Sequence, residues 1–115
     1  MTSLQTALAR ADALGAAGRF FDAHEELEAF WLKAAGDEKI LLQGLIQIAA
    51  GLHRLKLDPS KTEGAFYLLD RGLDKLAKAG SLLVPETLAA LEVALGRIRA
   101  SGKAPEALVF GLRAR

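Results

Sequence analysis

Cysteine is absent from this sequence. That absence excludes disulfides, thiolate metal sites and a cysteine nucleophile, fits a reducing compartment, and leaves packing as the source of stability. An excess of one charge is also lacking, because 15 Lys and Arg stand against 14 Asp and Glu for a formal net charge of +1. No overall field draws such a chain to nucleic acid or to an anionic membrane. No run approaches the roughly 18 apolar residues of a membrane span, and the opening MTSLQTALARADALG has no basic stretch followed by a continuous apolar core. The cytoplasm is the expected location. Glycines never cluster as GxGxxG or as a P-loop, so a phosphate cradle has no basis. Ser3, Ser60, Ser81 and Ser101 read as cap or turn residues, and none sits in a nucleophile elbow.

What is present is a globular mixture: 51% hydrophobic and 25% charged residues in 115, enough for one domain of common size. Apolar residues recur every three or four positions, with glycines and prolines between the periodic stretches. This predicts an all-α fold, a compact antiparallel bundle of five to six helices. The first spans about Leu4 to Ala17, opened by Thr2 and Gln5 in capping-box spacing and stopped by Gly18. The second runs from about Arg19 to Ala35. Asp37 is the expected cap of a third, about Glu38 to Lys56, ending near Asp58 and Pro59. Ser60 and Glu63 make a second capping box for a fourth helix reaching about Ala79, and Pro85 begins a fifth that ends near Ala100. Pro105 is the expected start of a short sixth. The third helix, EKILLQGLIQIAAGLHRLK, is apolar nearly all round, which predicts that the others surround it. Gly44 and Gly51 share one of its faces and allow a neighbouring helix close approach.

The segment GRFFDAHEELEAFWLKAAG carries the chemistry-bearing pattern. At about 100° per residue, Phe20, Phe21, His24, Leu27, Glu28, Trp31 and Ala35 fall on one broad face. That face is otherwise apolar and is expected to point inward, yet it holds an imidazole and a carboxylate four residues apart. Buried, these groups need partners. The third helix offers Gln43, Gln47 and His53 in its apolar surroundings, although Gln47 and His53 differ by about 120° around the axis and about 9 Å along it.

Three readings stay open on these residues. His24, Glu28 and His53 could hold a divalent metal such as zinc, manganese or iron, with a glutamine oxygen or water completing the shell. A metal-free pocket for a small ligand could instead use Trp31 as its wall, with Glu28 orienting His24, the arrangement a hydrolase-like acid-base pair also requires. A structural or interaction module would use the same residues as a satisfied core network, Glu28 accepting from His24 and the glutamines completing the bonding. Whether the chain is an enzyme is left undecided. HEELE falls one residue short of the HExxH zincin helix, with Glu28 where the second histidine belongs, and the order and spacing do not match the Glu-x-x-His pairs of di-iron bundles.

Phe30 lies off this face beside Glu26 and Lys33, to be covered by another helix or a second subunit. Residues 22 to 38 are acidic, while Arg97, Arg99, Lys103, Arg113 and Arg115 make the carboxy-terminal part basic, a polarity able to orient a homodimer. A homodimer is the expected assembly, because so small a helical domain has apolar surface left to bury.

His24, Glu28 and Trp31 form an HxxxExxW pattern followed by LLQGLIQIAAGLH from Leu41 to His53. Over roughly residues 18 to 79, through AFYLLDRGLDKLAKAG, the chain resembles a bacterial and archaeal family of helical proteins, the domain of unknown function 309 family. The resemblance implies a small all-helical protein and a suggested metal-binding role for the motif, with no established reaction. Carried over, the family's motif positions fall on His24, Glu25, Glu28, Trp31, Gln43, Gln47 and His53. Glu25 projects about 100° from His24 and fits the group least well.

Overall fold

The capping box at Thr2 forms in a computed structural model that describes every residue from Met1 to Arg115. Gln5 N donates to Thr2 Oγ1 at 3.1 Å and Thr2 N to Gln5 Oε1 at 2.9 Å, satisfying two otherwise orphaned donors of helix α1, Ser3–Ala16. Gly18, at φ 72°, takes the left-handed conformation that turns the chain into α2, Phe20–Trp31. The remaining helices are α3 (Gly36–Leu57), α4 (Thr62–Lys78) and α5 (Pro85–Ser101), with a 3₁₀ turn at Gly80–Leu82. Pro85 stands in the first turn of α5, where its missing N–H costs nothing.

α3 is central. It shares the largest interfaces of the molecule with α4 and α2, while α1 packs on α2. Leu41, Leu45, Ile48, Leu52 and Leu55 are fully buried along it, joined in one cluster by apolar side chains from every other helix. Gly44 and Gly51 set the α3–α4 spacing: a Cβ on Gly51 would stand 3.0 Å from the Ala65 carbonyl oxygen. The radius of gyration of 12.7 Å is close to the roughly 13 Å of a compact chain this long.

Four local expectations are corrected. α2 stops at Trp31 rather than Ala35, and Gly36 with φ 61° opens α3, so Asp37 lies in its first turn instead of capping it. There Asp37 and Glu38 face the positive end of the helix dipole. Ser60 and Glu63 form no capping box. The Ser60 hydroxyl donates instead to Asp58 Oδ1 at 2.6 Å, and α4 begins at Thr62 without a side-chain cap.

The short helix expected from Pro105 does not form either. Residues 103–115 run as an extended tail, with Leu108 N donating to Gly15 O at 2.9 Å and Gly111 N to Asp12 Oδ1 at 3.1 Å. An isolated antiparallel bridge pairs Leu83 with Ala114. Phe110 and Leu112 are buried while Val109 and Arg113 are exposed, the period of two that suits extended rather than helical backbone.

Candidate functional site at the face of α2 and α3

On α2 the buried line is Phe20, Ala23 and Leu27, not the broader face drawn through Glu28. Ala23 is fully buried on a helix that packs against both α1 and α3, and the Phe21 side of that helix faces outward. Phe21 is 48% exposed and Glu25 and Glu28 are exposed, whereas His24 and Trp31 lie partly buried at the border with α3. Phe30 occupies the opposite border, partly buried, with the Arg10 guanidinium of α1 5.8 Å from its ring centroid.

Contacts from α2 to α3 join the residues singled out by sequence at two levels. The Phe21 ring stacks on His24 at a centroid separation of 6.0 Å and meets His53 of α3 at 5.2 Å, so both imidazoles lie against one phenyl group. One end further along, Lys39 of α3 sets its ammonium 4.4 Å from the Trp31 ring centroid, a cation–π contact. Between these levels α3 presents Gln43, Ile46, Gln47 and Ala50, all partly exposed. Gln47 turns to the other side, where its Oε1 accepts from Lys75 Nζ of α4 at 2.9 Å.

The satisfied network expected between His24 and Glu28 does not form. No hydrogen bond joins them, and the buried atoms His24 Nδ1 and Trp31 Nε1 have no partner at all. Leaving such a group unpaired costs on the order of 1–3 kcal/mol. Glu25, as its projection predicted, stays exposed away from His24. No three His, Asp or Glu side chains are grouped closely enough to hold a metal ion. His24, His53 and Glu28 therefore do not make a ready-built coordination shell in this conformation.

Lys75 and Lys39 escaped the sequence reading. Burial and then the charges of Arg71 and Lys78 push the Lys75 amine below its ordinary value of 10.5, with Asp74 opposing them. The available signal was the glycine pair: Gly44 forces α4 close, and Lys75 Cβ lies 3.1 Å from where a Cβ on Gly44 would be. A lysine beside such a contact must lie along α3 rather than extend freely into solvent.

A family model described as a domain of unknown function, DUF309, matches residues 8–68, just over half of the chain. The match begins within α1 and ends within α4, covering His24, Trp31 and His53 and stopping short of Lys75. No curated protein and no solved structure matches the chain.

Proposed function

Because the chain belongs to the DUF309 family, whose description carries no activity, we propose from its geometry that it is a small-ligand-binding protein with its site along the seam between α2 and α3. The observation that carries this reading is the pair of buried, unpartnered atoms, His24 Nδ1 and Trp31 Nε1. They stand seven residues apart, two turns of the same helix, on the side facing α3. An indole N–H only donates, so the ligand it takes bears a hydrogen-bond acceptor, and the imidazole can complement either kind of group. Phe21 and Trp31 supply the apolar wall, with Gln43 and His53 of α3 as polar contacts and Glu25 and Glu28 at the rim, while Gln47 is held by Lys75 on the α4 side. Small-molecule sites combine an apolar lining with a few placed polar groups.

A second reading has its own support. Two imidazoles from neighbouring helices lie against one phenyl ring, and Glu28 is one turn from His24. Zinc, manganese or iron(II) accepts these nitrogen and oxygen donors, provided that Phe21 gives way and Glu28 is drawn in.

One experiment addresses both. Trp31 is the sole tryptophan, so its fluorescence reports on the seam directly. Untagged protein is analysed for metal and titrated calorimetrically with zinc, manganese and iron(II). It is then screened by Trp31 emission against small carboxylates, phosphates and amides, with His24→Ala and Glu28→Ala as controls. Saturable organic binding lost in His24→Ala supports the ligand site, and stoichiometric metal lost in both variants supports the second reading. Folded wild type that responds to neither class near neutral pH rejects both.

A further inference from the structure

α2 and α4 each pack on α3, and the exposed residues of these flanking helices are electrically lopsided. The α2 flank carries Glu25 and Glu28, both exposed and neither in an ion pair. The α4 flank carries Arg71, Lys75 and Lys78 with Asp74 among them, a net positive group in which Arg71 and Lys78 depress the Lys75 amine against Asp74 and no cation is within ion-pair distance of a carboxylate. Between them α3 presents Gln43, Ile46, Gln47, Ala50 and His53, uncharged side chains or imidazole and all partly exposed, with Phe21 of α2 48% and Tyr67 of α4 60% exposed on the flanks. Net charge of opposite sign on two flanks of one surface is complemented by a surface with the reverse pattern.

The same surface turned over has that pattern. We propose that this face pairs with the same face of a second copy about a two-fold axis lying in the interface parallel to α3. That rotation lays α2 of each copy over α4 of the other, acidic flank on basic flank. A two-fold axis across the helices would instead set α2 on α2 and α4 on α4, like charge on like, which is disfavoured.

The levels along the helices agree. Glu25 and Glu28 lie between Phe21 and Trp31, which mark His53 and Lys39 on α3. Midway between those two α3 positions are Gly44 and Gln47, which contact Lys75. Rotation about an axis parallel to α3 preserves level, so Glu25 and Glu28 of one copy meet Arg71 and Lys75 of the other without sliding. Charge and exposure alone favour this pairing, independently of any ligand. Pairing would nevertheless roof the α2–α3 seam with the second copy's α4.

Sedimentation equilibrium and multi-angle light scattering, without added ligand, test the pairing. Wild type is expected at twice its 12.2 kDa chain mass, with dissociation promoted by salt. Glu25→Lys with Glu28→Lys, and separately Arg71→Glu with Lys75→Glu, each weaken self-association at least about tenfold while circular dichroism stays helical. An equimolar mixture of the two charge-reversed proteins recovers the dimer mass, and a chain carrying all four changes dimerises again. Wild type that remains monomeric at about 1 mM overturns the proposal, including the case in which its basic flank retains a nucleic acid instead. So does a dimer indifferent to both reversals, or folded reversed variants that fail to pair on mixing. Ligand binding is read separately through Trp31, so either idea can fail alone.

Discussion

Gly44 and Gly72 meet backbone to backbone: a Cβ on Gly44 would stand 2.8 Å from the Gly72 carbonyl oxygen, and one on Gly72 would stand 2.6 Å from that of Gly44. The missing methyl groups are what let α4 lie on α3. Gly44→Ala or Gly72→Ala must push the helices apart or shift Ile48, whose Cγ1 would be 2.5 Å from a Cβ on Gly72. Each is expected to destabilise by roughly 1–3 kcal/mol in urea denaturation. Gly96, exposed in α5 with nothing within 4 Å of its Cβ position, is the control. Gly96→Ala should stabilise by about 0.5–1 kcal/mol, and a loss there as large as at Gly72 would contradict the packing account.

Asp12 holds the tail by accepting from Gly111 N at 3.1 Å, and burial raises its carboxyl above the ordinary 3.8, outweighing the lowering by the Gly111 and Phe110 amides. A raised carboxyl binds its proton more tightly in the folded chain than in the unfolded one. Its contribution to stability is therefore greatest below the unfolded value and is lost as pH rises through the folded value. Asp12→Asn keeps an oxygen for Gly111 and removes the ionisation. The variant should equal or exceed wild type in stability at pH 7, and the difference should shrink towards zero by about pH 3. Denaturation curves across that range that show the variant losing ground at neutral pH would mean that the negative charge itself secures the tail.

Alternation along the tail makes a separate forecast. Phe110 is 3% exposed and its ring edge lies 3.5 Å from the Cβ position of Gly15, whereas Val109 is 53% exposed. Phe110→Ala should cost about 3–5 kcal/mol and Val109→Ala under about 0.5 kcal/mol. Similar costs at the two positions, measured by thermal and chemical denaturation, would rule out the tail as part of the core.

Helices and the central place of α3 were legible because their signal is periodic and local: caps, glycines and a segment apolar on every side. The tail was not, because Pro105 suggested a helix start while Phe110 and Leu112 declare themselves only against Gly15 and the Leu83 bridge. The candidate site was half legible. His24 and His53 both lie against Phe21, while Trp31 stands two turns along α2 beside Lys39. The direction in which Glu28 points depends on how α1 and α3 pack on α2, which a helical wheel of α2 alone cannot express. Lys75 is a partner across helices and carries no mark in its own segment beyond being a lysine near a glycine.

The indole of Trp31 offers the sharpest contrast between stability and binding. Replacing a partly buried tryptophan with phenylalanine normally costs stability through lost volume. Here it also removes a buried N–H that has no partner, relieving about 1–3 kcal/mol of unpaired desolvation. Trp31→Phe in the ligand-free protein should therefore fall no more than about 1 kcal/mol below wild type, measured by circular dichroism because the fluorophore is gone. Calorimetric affinity for any ligand found through Trp31 emission should drop about tenfold or more, since the donated hydrogen bond is lost. A ligand-free loss well beyond 2 kcal/mol would imply that the indole N–H has a protein partner in solution. Affinity unchanged in the variant would place the ligand away from the indole, and the seam would lose the donor on which its proposed chemistry depends.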